Sequence, residues 1–309
     1  MSSISSEGEQ SCHSCTHCKK DAILLADRDR HKYACKKAQD RRAMYRAGAT
    51  AQLVFFRYLE KFETIGVTKV EKKGDDIYIY LPDADDDNPE VFPFVWKECN
   101  SEEDRLTLLT YMMCGNSTGF AHVLMDILLL DTAQQVAQIT HQPKAYRRRV
   151  IAVQGDGYHV DNTDSKHCIN RVTLTNGEVY AVDLTGPQYG FYDPVIPWEQ
   201  YCDSRVKAID IISLLRDVGE CQKVAGSKAG GVGPDKTREE EFAEVFVAAA
   251  KSWQVTNGPL DGMLRLREKT FKKKQASLVD FIDEELIKHK DKTGSIGLPD
   301  SIVSEGFNY

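Results

Sequence analysis

The run Val172-Thr173-Leu174-Thr175-Asn176-Gly177-Glu178-Val179-Tyr180-Ala181-Val182-Asp183 carries two alternating apolar stretches joined by Asn-Gly. Alternation of period two sends successive side chains to opposite faces of a strand. Asn-Gly tolerates the positive φ of a tight reversal, so the pattern predicts a hairpin closed by a two-residue type I′ turn. That turn fixes a register in which Thr175 faces Glu178, Asp183 faces Asn170, and His167 faces Gly186. An imidazole and a carboxylate then stand on adjacent strands, three places apart. An odd offset needs twist or a bulge to bring them together.

Upstream, Gly115-Asn116-Ser117-Thr118-Gly119-Phe120-Ala121 opens an apolar segment that runs to Leu130 and reads as a buried helix from Ser117, with Cys114 ahead of it. The order resembles the core of transglutaminase-like, papain-related folds. There a cysteine at a helix N-terminus meets His and Asp from the following strands, in a pattern like Gly-x-Cys-x-x-Phe-Ala, His, Asp-x-Thr. Gly115, Phe120, Ala121, His167, Asp183 and Thr185 fit, and Ser117 occupies the nucleophile position. The resemblance implies an α+β fold of helices packed on an antiparallel sheet. It also implies a Ser117-His167-Asp183 constellation, with nucleophile, base and orienting carboxylate in that order. A helix N-terminus and a neighbouring imidazolium favour a thiolate, whereas a serine hydroxyl, with its far higher pKa, gains little from the same field. The resemblance therefore implies a catalytically degenerate domain. An acyl-transfer or amide-hydrolysing enzyme is the alternative, and a small acyl or peptide ligand in the cleft suits either.

Cys12, Cys15, Cys18 and Cys35 fall within 24 residues, with His31 four positions before Cys35. The set Cys15-x2-Cys18-x12-His31-x3-Cys35 suits tetrahedral zinc, with Cys12 as alternate ligand, because two ligands one helical turn apart can share an ion. Four protein ligands close the coordination sphere, so the metal is expected to serve folding. The stretch His31-Lys32-Tyr33-Ala34-Cys35-Lys36 resembles the end of a MYND zinc finger, and Cys15-Thr16-His17-Cys18 resembles the cysteine pair before it. A full MYND finger holds two zincs with eight ligands, whereas this region has four cysteines and three histidines. Only a partial finger is matched. MYND-like modules dock short proline-containing peptides, so the resemblance implies a protein or peptide partner. Asp183-Leu184-Thr185-Gly186-Pro187-Gln188-Tyr189-Gly190, followed by Pro197-Trp198-Glu199-Gln200-Tyr201, resembles a segment of fungal proteins that carry an N-terminal MYND finger.

The 309 residues carry 40 Lys+Arg against 47 Asp+Glu, a net charge of −7. That balance supplies no electrostatic reason to bind nucleic acid, so a DNA-binding regulator ranks as a second alternative. The chain has no apolar run of membrane-spanning length and no signal-peptide core at its polar start. Nine cysteines, an odd count without a secretory signal, read as thiols or metal ligands. An intracellular protein, cytoplasmic or nuclear, with no membrane partner is expected.

Along the chain the expected organisation is a partial finger over 1–37, a transglutaminase-like α+β domain over 38–224, a glycine-rich linker over 225–237, a helical region over 238–293 and a disordered tail over 294–309. Ala43, Met44, Ala47, Ala51, Val54, Phe55, Tyr58, Leu59 and Phe62 recur at helical spacing. Ile77 to Leu81 pairs in prospect with Thr68 to Val70. The acids at 83–87 read as a solvated loop. Ser101 ahead of Glu102, Glu103 and Asp104 is a helix start. Arg147 to Val153 reads as a strand and 155–166 as polar loop.

Overall fold

The stripe from Ala43 to Leu59 winds into a 27-residue helix, α1 (Lys36–Phe62), and its apolar members are almost wholly buried. Among them sits Gly48, where a Cβ would lie 2.0 Å from Val195 Cγ2, so this helix and the sheet meet through a glycine. The computed structural model describes residues 12–13, 23–24, 35–62, 67–81, 99, 101–154, 159–217 and 238–293. Within these the chain is α+β. The further helices are α2 (Glu102–Leu109), α3 (Cys114–Leu128), α4 (Trp198–Arg205), α5 (Arg238–Asn257), α6 (Leu260–Arg265) and α7 (Glu268–Thr293).

The main sheet takes β5 (Ala133–Pro143), β8 (His167–Leu174), β9 (Val179–Val182), β10 (Val195–Pro197) and β11 (Val206–Asp217) in the order β10-β9-β8-β5-β11, antiparallel throughout. A second sheet orders β3 (Lys69–Lys73), β4 (Asp76–Tyr80), β6 (Arg149–Val153) and β7 (His159–Asp161) as β3-β4-β6-β7, with β4 and β6 parallel. β1 (Cys12–His13) pairs with β2 (Ile23–Leu24). The expected polar loop over 155–166 thus contains a strand and a 3-10 turn at Asn162–Asp164, and Val150 N–H donates to Asn162 Oδ1 at 3.1 Å.

Val136, Val172, Leu174, Tyr180 and Val182 of the main sheet share one core with α1, α3 and the C-terminal helices, which contribute Phe242, Phe246, Trp253, Leu264 and Phe271. The opposite face, carrying Ile139, Ile169 and Ala181, is covered by Tyr201 of α4. Strand alternation divides β8 between the two: even positions from Cys168 to Leu174 turn toward α3, and His167 and Ile169 turn toward α4.

The hairpin forms, but not with the expected turn. Gly177 N–H donates to Leu174 O at 2.9 Å and Leu174 N–H to Glu178 O at 2.8 Å, closing a three-residue loop, Thr175-Asn176-Gly177. Gly177 has φ +83° and Asn176 Oδ1 accepts from Glu178 N–H. This is a type I turn followed by a left-handed residue, which suits Asn-Gly as well as a type I′ turn does. Thr173 then faces Val179 and Asn170 faces Val182, one residue away from the expected register. The shift changes the parity. Continued past β9, it sets Asp183 opposite Ile169 and two places from His167, so both side chains stand on the same face.

Candidate functional site

His167 and Asp183 meet on the α4 face at 3.0 Å, Nε2 to Oδ1, and both are buried. The other ring nitrogen is also engaged, since Gln188 Nε2 donates to His167 Nδ1 at 3.4 Å. An amide NH2 can only donate, so Nδ1 accepts and the ring proton sits on Nε2, pointing at Asp183. Gln188 is itself fixed: its Oε1 accepts from Met112 N–H at 3.3 Å, and its carbonyl accepts from Asn162 Nδ2 at 2.9 Å. The turn Gly186–Tyr189 that carries it is closed by two glycines. At Gly186 a Cβ would lie 2.7 Å from Phe191 O and 3.1 Å from Asp183 Oδ2, and Gly190 has φ +78°.

Asp183 Oδ2 accepts from Tyr201 Oη–H at 3.0 Å and lies 3.6 Å from Arg205 Nη1. Burial pushes the Asp183 carboxyl up, yet His167, Arg205 and Tyr201 together hold it below its ordinary value. Beside His167, its cross-strand partner His141 stands with ring centroids 5.3 Å apart. His141 Nε2 is 3.2 Å from Tyr201 Oη and Nδ1 is 3.1 Å from Gln142 O. Burial, then the neighbouring His167, lowers His141 to about 4.

The helix begins at Cys114, three residues before the expected start, so Ser117 falls in the first turn of α3. Its hydroxyl donates to Cys114 O at 2.8 Å, a backbone bond within its own turn, and its side chain is buried. No hydrogen bond joins Ser117 to His167 among the described residues. Near the start of α3, Cys114 Sγ donates to Lys166 O at 3.9 Å, and Cys168 Sγ lies 3.5 Å from Thr140 Oγ1.

Of the expected zinc ligands, Cys15, Cys18 and His31 lie outside the described residues. Cys35 is buried at the entry to α1, its carbonyl accepting from Gln39 N–H, and Cys12 is described only as backbone of β1. The loop at 83–87, the linker at 225–237 and the tail at 294–309 also lie outside. Among the described residues no helix is long and apolar enough to cross a membrane.

His141, Tyr201, Gln188 and Arg205 were not among the sequence-predicted site residues. The alternation Ala137, Ile139, His141 was the available signal for the first, since it marks a buried face ending in an imidazole. Nothing in the spacing of Gln188 announces that it bonds His167. The chain matches no family model, no curated protein and no solved structure.

Proposed function

We propose that this chain is a zinc-binding protein-interaction protein, built on a domain of transglutaminase-like order whose His–Asp pair holds the fold together and performs no nucleophilic catalysis. The observation that carries this reading is the occupancy of His167. One ring nitrogen is bonded to Asp183 and the other to Gln188. A general base must offer a nitrogen to the nucleophile's proton, and the Ser117 hydroxyl donates instead to Cys114 O. The zinc, held by Cys15, Cys18, His31 and Cys35, and a peptide partner at the finger complete the proposal on the strength of the ligand spacing.

Nitrogen chemical shifts of the His167 ring, assigned in protein labelled at histidine, test the carrying observation. The reading expects a proton on Nε2, an accepting Nδ1, and neither shift altered by Ser117→Ala. A ring whose Nδ1 shift moves on Ser117→Ala would favour the serine-enzyme alternative.

A further inference from the structure

The two larger sheets end in the edge strands β3, β7, β10 and β11, and the first three are blunted. β3 carries Lys69, Lys72 and Lys73, and β7 and β10 are 3 residues long. Lysines and short length both guard an edge against pairing with another chain. β11 is guarded far less. It runs for 12 residues with a single lysine, and among the described residues no strand pairs with its outer side. Register shifts interrupt it toward its ends, but Ile211 to Leu214 pair regularly with β5. Ile209, Ile211 and Ile212 stand 42%, 54% and 50% exposed. Ile209 and Ile212 lie opposite His141 and Ile139, and Ile211 opposite Thr140, so the exposed isoleucines occupy both faces.

We propose that β11 pairs with β11 of a second copy of this chain, antiparallel about a two-fold axis through Ile212, joining two main sheets into one. Two features fit the strand to itself. Ile212, opposite Ile139, is the midpoint of its ladder. That ladder continues four residues of β5 in one direction, to Val206 opposite Pro143, and four in the other, to Asp217 opposite Gln135. A two-fold axis there overlaps the strand along its whole length. Charge is complementary in the same register. Lys207 stands near one end of the strand and Asp217 at the other. Each lysine therefore meets the aspartate end of the other copy. A parallel pairing would set lysine beside lysine and aspartate beside aspartate, and like charges directly opposite are destabilising.

The same axis sets Ile212 of one copy opposite Ile212 of the other on one face, and Ile211 opposite Ser213 on the other face. The outward N–H and C=O groups of both edges gain partners. A two-fold contact uses the same strand on each copy, so association closes at the dimer and does not propagate. The joined sheet then ends on both sides in the short β10, since β10 and β11 are the two edges of the main sheet. The inference stands apart from the reading of Ser117.

Analytical ultracentrifugation of the full chain, from about 1 to about 100 μM, tests it across the range of micromolar dissociation constants. A species of twice the chain's mass is expected at the upper end. Ile212→Lys sets like charges against each other at the axis and should weaken the dimer roughly tenfold or more. Because Ile212 is exposed in the single chain, its circular dichroism spectrum should be unchanged. Lys207→Asp should also weaken the dimer, and adding Asp217→Lys to the same chain should restore it, a rescue that misfolding does not imitate. A chain that stays monomeric throughout, a dimer that Ile212→Lys leaves as tight as before, or a charge swap that restores nothing would overturn the proposal.

Discussion

His167 reaches Asp183 at 3.0 Å across a hairpin whose loop is one residue longer than Asn-Gly by itself suggests. That residue decides the site. With a two-residue loop the pair would be offset by three places and face opposite sides of the sheet. With the observed loop the offset is two, and imidazole and carboxylate share a face without a bulge.

Because the pair is buried among further polar groups, removing half of it strands the rest. Asp183→Ala leaves His167 Nε2–H and Tyr201 Oη–H without their acceptor and Arg205 without its counter-charge, and we expect a loss of about 3–5 kcal/mol in urea unfolding. His167→Ala should cost less, since Asp183 keeps Tyr201 and Arg205. The double variant should be more stable than the two losses summed, by about 0.5–3 kcal/mol. Strict additivity would show that the two side chains are not coupled.

His141 sets a pH dependence. Its folded value near 4 lies below the ~6.5 of an unfolded chain. Between those values the unfolded state binds the extra proton, so stability falls as pH falls from about 6.5 to about 4, by on the order of 3 kcal/mol. Above that window the contribution is fully present. Unfolding midpoints measured across the range should decline accordingly, and His141→Gln should flatten that part of the curve. An unchanged slope in the variant would assign the decline to other groups.

Gly48 is tested by crowding. An Ala at that helix position gains ~1 kcal/mol in helix propensity, but its methyl meets the stiff, buried Val195 at 2.0 Å. Overpacking costs about 1–3 kcal/mol, so we expect Gly48→Ala to be neutral or destabilising despite its propensity. The same change in a Val195→Ala background should be stabilising. Equal effects in both backgrounds would mean that α1 and β10 are not in close contact there.

Purified protein should retain about one zinc through exhaustive dialysis, measured by elemental analysis. Cys15→Ser and His31→Ala should each abolish it, since either opens the tetrahedral shell. Metal-free protein with an unchanged circular dichroism spectrum would remove the finger from the account.

Much of this architecture could be read from residue patterns. The α1 stripe shows a clean helical period. Ser101 accepts from Asp104 N–H as a capping residue ahead of three acids should. What escaped depended on choices that local sequence leaves open. Asn176-Gly177 fits a two-residue and a three-residue loop alike, and only the pairing of Leu174 with Glu178 decides between them. The start of α3 was hidden because Met113 makes no side-chain cap, and Gly115-Asn116 reads as a breaker. Strand β11 was missed: its pairing with β5 shifts register between Val206 and Ala208, Ile209 and Ile211, and Leu214 and Asp217, which blurs the alternation. The His167–Asp183 contact was legible as a pair of residues on one hairpin. Its closure by Gln188 was not, because that bond comes from a turn 21 residues along the chain.

The most direct test of the non-catalytic reading is labelling with a fluorophosphonate, which traps any serine activated by a base, followed by mass mapping of Ser117. The account predicts no modification of Ser117 in folded wild-type protein, and Ser117→Ala within about 1 kcal/mol of wild-type stability, since only a bond within one helical turn is lost. Stoichiometric modification of Ser117 that disappears in a folded His167→Ala variant would contradict it.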